Sequence, residues 1–123
     1  MKSVRIFNTS RNTVLCEHCG IADHFFTRAR GLLGRASLPD GEGLLLTKCS
    51  SIHMFHMKFA LDVVFLTEAD VVTDLVENIA PGKAHVAKAQ AGKVVAALEL
   101  PVGTIAKTQT LIGDVLKREE VNQ

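Results

Sequence analysis

The sequence predicts an α+β domain that is mostly β: a small barrel- or roll-like antiparallel or mixed sheet with one main short helix. Three observations carry this. Seven or eight short apolar runs recur between turn signals. Only the stretch from Asp23 to Gly34 shows clear helical spacing. No repeat, low-complexity tract or linker divides the 123 residues, so residues 1–123 read as a single domain. A hydrophobic content of 47% supports a core that needs neither metal nor disulfide.

Val4 and Ile6 alternate with Ser3 and Arg5, giving a half-buried strand. Asn8 to Asn12 is rich in turn residues, and Thr13 to Glu17 returns as a second arm. Asp23 caps the helix, whose Phe25, Phe26, Ala29, Leu32 and Leu33 share a face, with Gly34 as a left-handed stop. Leu38 to Gly43 is loop, with Asp40-Gly41 a turn dipeptide. Leu44 to Leu46 is a short buried strand. From Ser51 to Phe59, alternation puts His53, Phe55, Met57 and Phe59 on one side and Ile52, Met54, His56 and Lys58 on the other. Leu61 to Leu66 is apolar on both faces, as in an interior strand, and Val71 to Ile79 pairs with it. Ala84 to Gln90 fits a short helix or irregular chain. Val94 to Leu100 reads as a strand because Pro101 and Gly103 close it, and Val115-Leu116 is a last strand before a charged tail.

Fourteen basic and thirteen acidic residues leave a formal charge of +1, which supplies no field for nucleic acid or an anionic membrane. No run of eighteen apolar residues and no signal-peptide pattern is present. Three cysteines without a secretory leader point to a reducing cytoplasm. The expected partner is a small molecule or a protein, with no nucleic acid, no membrane and no cofactor.

The stretch from Cys49 to Leu66 concentrates the polar groups set in apolar surroundings. Asp62, enclosed by Leu61, Val63, Val64 and Phe65, must be paired or take several backbone hydrogen bonds if buried. Arg28, Arg35, Lys58 and His53 are its candidate partners, and Glu99 between Leu98 and Leu100 poses the same question. Arg28 and Arg35 can also surround a small anion. His53 and His56 cannot chelate one metal from a strand, because residues three apart face opposite ways. Cys16 and Cys19 form a Cys-x-x-Cys pair that Cys49 and His53 can complete as a zinc set, although a second clean pair is missing. No hydrolase elbow, P-loop, dinucleotide fingerprint or zinc-protease motif occurs.

Arg28-x-x-Gly31-Leu32-Leu33-Gly34-Arg35, then Ser51 to Phe55 with Met57-Lys58, then Leu61 to Leu66 follow in order. Pro81, Leu98-Glu99-Leu100 with Gly103, and Gly113-Asp114 come after them. Over residues 13–117 this series resembles the DUF192 family of uncharacterised proteins, also known as UPF0127. The resemblance implies a compact β-rich domain with no established activity. The family usually has proline where this chain has Ala60. Cys16 and Cys19 stand outside its pattern, which speaks against zinc as a shared function.

The leading expectation is a binding or accessory module. Its candidate ligand-binding residues are Arg28, Arg35, His53, Met57, Lys58, Asp62 and Glu99, holding a small molecule or a peptide. Two rivals stay open: an enzyme with His53 and Asp62 as acid–base groups assisted by Glu99, and a structural domain stapled by zinc through Cys16, Cys19, Cys49 and His53.

Overall fold

A computed structural model of the chain describes residues 2–22 and 35–121. The helix expected from Asp23 to Gly34, Arg28 with it, lies outside these residues. Nine strands and one helix are described. They are β1 (Ser3–Asn8), β2 (Thr13–Ala22), β3 (Glu42–Thr47), β4 (Ser51–His53), β5 (Leu61–Leu66), β6 (Val72–Ile79), β7 (Ala84–Val86), β8 (Ala96–Leu100), α1 (Thr104–Thr108) and β9 (Leu116–Glu120). Seven strands form one sheet in the order β6-β5-β8-β3-β2-β1-β9, and β4 pairs with β7 apart from it. All pairings in the large sheet are antiparallel except β2 with β3. A parallel pair needs a crossover, and that connection runs through residues 23–41.

The two edges of the large sheet meet. Val71 bridges Val115, Val72 N–H donates to the Asp114 carbonyl at 2.8 Å, and Leu116 N–H donates to the Asp70 carbonyl at 2.9 Å. Arg118 closes on Asp70 through two hydrogen bonds of 2.8 and 2.9 Å. The sheet is thus a closed barrel, which leaves no free edge. Asn8 locks the seam from inside. Its amide donates to Asp114 at 3.0 Å, and its oxygen accepts from Ser10 and Arg11 amides.

Alternation along each strand sorts the apolar side chains into two cores. Every strand of the barrel sends residues inward, among them Ile6, Leu15, Leu45, Val64, Val72, Leu98 and Leu116. A second core lies outside the barrel wall, where Leu44, Val63, Phe65 and Ala97 meet Ile52 and Met54 from the β4 side. Phe65 packs on His85 of β7 at 5.7 Å between ring centroids. Asp74 fixes that segment by accepting from His85 Nε2, Lys88 N–H and Gln90 Nε2, each at 2.8 Å. Covered on both sides, β5 and β8 are buried along their whole length, as the two-faced apolar pattern of Leu61 to Leu66 requires.

Three expectations are corrected. The strand read from Ser51 to Phe59 ends at His53. Beyond it the chain turns, with Met57 N–H donating to the Met54 carbonyl at 3.2 Å and His56 left-handed at φ 64. The expected alternation therefore holds through Phe55, which is exposed with His53 while Ile52 and Met54 are buried, and fails beyond it: Met57 and Phe59 pack half-buried against the outer core. The charged tail after Leu116 is strand, because it pairs with β1 and sets Glu119 opposite Arg5, 2.8 Å apart. The helix Thr104–Thr108 carries no periodic pattern long enough to show in the sequence. Five residues cannot hold a helix alone, so this one depends on its contacts.

Candidate functional site

The residues singled out in the sequence do not share one place. Arg35 is exposed and pairs with Glu42 at 3.5 Å. Lys58 is exposed. His53 stands on the outward side of β4, stacked on Phe55 at 5.8 Å, while its neighbour Ile52 faces the outer core. Met57 packs at the rim of that core. Asp62 and Glu99 lie on adjacent central strands but on opposite faces of the sheet. Asp62 is the ladder partner of Leu100, which is in the barrel interior, whereas Glu99 partners Val63 in the outer core.

Asp62 is 1% exposed, and among the described residues it meets no basic side chain. Its Oδ1 accepts from Asn78 N–H at 2.9 Å, and its Oδ2 accepts from Gly103 and Ile105 N–H at 3.1 and 2.9 Å. The first turn of a helix leaves N–H groups without intrahelical partners. Gly103, left-handed at φ 95, offers α1 no side-chain cap. Asp62, on the strand beside β8, supplies that cap. Its role is to fix α1 against the barrel end, with Ile105 inserted in the core.

The fixed helix forms one wall of a cleft of about 370 Å³. β2 contributes Val14, Leu15, Cys16 and Glu17, the turn before β3 contributes Asp40 and Gly41, and α1 with its lead-in contributes Val102, Gly103, Thr104, Lys107 and Thr108. Glu17 already answers Arg5 at 3.3 Å. Among the described residues, Asp40 and Lys107 have no ion-pair partner. Among the described residues, the cleft thus joins an apolar wall to an anion and a cation that have no ion-pair partner. Sequence reading placed Asp40-Gly41 and Pro101 to Gly103 in turns but gave them no role. Neither turn carries a motif, and only the barrel topology brings them together.

Glu99 is the odd charge of the fold. Its ladder neighbours Leu44 and Val63 are apolar, and its carboxyl has no hydrogen-bond or ion-pair partner among the described residues. Burial raises its pKa to about 7. Asp114 shows the opposite outcome. Burial disfavours its charge, but hydrogen bonds from Asn8, the Leu111 amide and Arg11 outweigh that and hold it below the ordinary 3.8.

The four proposed zinc ligands are divided as well. Cys16 and Cys19 are in the barrel interior, while half-buried Cys49 belongs to the outer core and donates to the Ser51 carbonyl at 3.0 Å. Among the described residues, no group of three or more His, Cys, Asp or Glu side chains is placed to hold a metal ion. No described helix is long and apolar enough to cross a membrane.

Comparison with known proteins fits this architecture. Over 118 residues the chain is 32% identical to a UPF0127 protein of Thermococcus sibiricus, covering 93% of this chain and 74% of that protein. A crystal structure of a protein of unknown function from Novosphingobium aromaticivorans matches with a TM-score of 0.77 at 25% identity, over 94% of this chain and 83% of that one. A second crystal structure, described as that of a "putative transcription regulator" from Sinorhizobium meliloti, also reaches 0.77 at 22% identity, over 95% and 92%, and shows the same fold. The profile of the DUF192 family, described as "Uncharacterized ACR", matches residues 6–118. The chain belongs to the DUF192 (UPF0127) family of uncharacterised proteins.

Proposed function

We propose that this domain is a binding module whose cleft, between β2 and α1, takes a small zwitterionic molecule. One observation carries the reading: Asp40 and Lys107, neither with an ion-pair partner among the described residues, line the same cleft of about 370 Å³ beside Val14 and Val102. That volume lies at the lower end of the range for small-molecule sites, where a few placed polar groups fix a ligand against apolar walls. A cationic group would face Asp40 and a carboxylate Lys107, with the apolar part against Val14 and Val102. Asp62 is a positioning residue here, since it holds Gly103 and Ile105 through their amides. Its three accepted hydrogen bonds and its burial support a bracing role over an acid–base one.

The test is a thermal-shift panel of free amino acids, with simple carboxylates and amines as single-charge controls. At least one amino acid is expected to raise the midpoint, as any ligand that binds only the folded state must. Lys107→Ala and Asp40→Ala should each weaken that ligand's binding about tenfold, the effect of one charged contact near 1.4 kcal/mol. A response that survives both substitutions, or no response across the panel, overturns the reading.

A further inference from the structure

β2 carries a thiol pair that ligand binding does not use. Residues three apart on a regular strand face opposite ways, yet Cys16 and Cys19 face the same way. Between Ile6 and Val4, β1 advances by two residues while β2 advances by three, from Cys16 to Cys19. The extra residue is a β-bulge. The amides of Glu17 and His18 both donate to the Gly41 carbonyl there, at 2.9 and 2.8 Å. Both sulfurs enter the barrel core, 1% and 0% exposed, while Glu17 and His18 remain in solvent. Inside, the thiols donate to the Gly41 and Gly20 carbonyls, each at 3.6 Å, within one core cluster, and each shifts the ionisation of the other.

Gly43 provides the room. A Cβ at that position would lie 2.9 Å from Cys16 Sγ and 3.0 Å from the Glu99 carbonyl. Cys16 also lines the cleft and Cys19 does not, so a small molecule in the cleft meets Cys16 first. The thiols are unequal. The neighbouring Cys19 thiol lowers the pKa of Cys16 against the opposing effect of burial, with help from the His18 amide. The same contact, together with burial, pushes Cys19 up.

We propose that Cys16 and Cys19 form a peroxide-sensitive dithiol that closes to an intrachain disulfide. The Cys16 thiolate attacks one oxygen of the peroxide, the O–O bond breaks, and Cys16 sulfenic acid forms while the second oxygen leaves as water after protonation. Cys19 sulfur then attacks Cys16 sulfur. The S–O bond breaks, and the hydroxyl leaves as a second water with the Cys19 proton. Two electrons pass from the thiols to the peroxide. The new S–S bond is about 2.05 Å long. The inference requires only that peroxide reach Cys16, so it stands or falls apart from zwitterion binding.

The experiment uses the full chain, treated with hydrogen peroxide, quenched with iodoacetamide and digested with trypsin. Cleavage after Arg11 and Arg28 puts both cysteines in one peptide that lacks Cys49. That peptide is expected unalkylated and lighter by two hydrogens, and returned to the doubly alkylated form by dithiothreitol. Cys19→Ser should stop at a Cys16 sulfenic acid that dimedone traps, and Cys16→Ser should leave Cys19 open to alkylation. The wild-type digest decides alone if a variant fails to fold. A doubly alkylated peptide after peroxide treatment of folded protein overturns the proposal. So does a cross-link to Cys49, or equal dimedone labelling of Cys16→Ser.

Discussion

Glu99→Gln is expected to stabilise the protein at alkaline pH and to remove most of the pH dependence of its stability near neutrality. The wild-type carboxyl ionises at about 7 in the fold against 4.5 for a free glutamate. The fold therefore prefers the protonated form. Its contribution to stability is fully present below 4.5, declines as pH rises, and is lost once pH passes about 7. A separation of this size corresponds to about 3 kcal/mol at full ionisation. Asp114 works in the other direction. Its folded pKa is depressed, so its contribution is present above 3.8 and disappears only as pH falls below that value. Between about pH 5 and about pH 8, Glu99 thus dominates. Urea unfolding of wild type and Glu99→Gln at those two values checks this. The wild type should lose about 2–3 kcal/mol across the interval and the variant much less. Equal losses in both would show that Glu99 has a compensating partner.

Asp62→Ala should cost about 2–4 kcal/mol, because it leaves the buried amide of Ile105 and the part-buried amides of Asn78 and Gly103 without their acceptor. Asp62→Asn keeps one oxygen but turns an NH₂ group toward N–H donors, so it should recover less than half of the loss. The damage should be local before it is global. Amide exchange of Gly103 and Ile105 should quicken more than that of Val64 or Leu98, which are held by β5 and β8 pairing. An unfolding midpoint unchanged by Asp62→Ala would remove the brace from the account.

The parts of the fold legible in the sequence are those decided by local pattern. Leu61 to Leu66 is apolar on both faces because it is sandwiched between two cores, and Asp62 within it could only be a satisfied buried carboxylate. The identity of its partners was not legible. Arg28, Arg35, Lys58 and His53 are the chemically obvious candidates, but among the described residues the amides at the start of a five-residue helix about forty positions away satisfy it. The thiol pair is hidden for a related reason. Cys16 and Cys19 share a face only because of a bulge, and a bulge is a property of pairing with β1 rather than of β2 by itself. The run after His53 shows a different limit. It looks like a continuous strand, but β4 ends at His53 and left-handed His56 breaks the alternation beyond Phe55.

The proposed binding site lies at the barrel end, between β2 and α1, and away from the stretch richest in histidine and methionine. Its most direct test is an amide chemical-shift map of ¹⁵N-labelled protein titrated with the amino acid that gives the largest thermal shift. The account predicts perturbations concentrated at Asp40, Gly41 and the segment from Gly103 to Thr108, reduced by Lys107→Ala. Perturbations centred on His53, Met57 and Lys58, with the α1 amides unmoved, would contradict it.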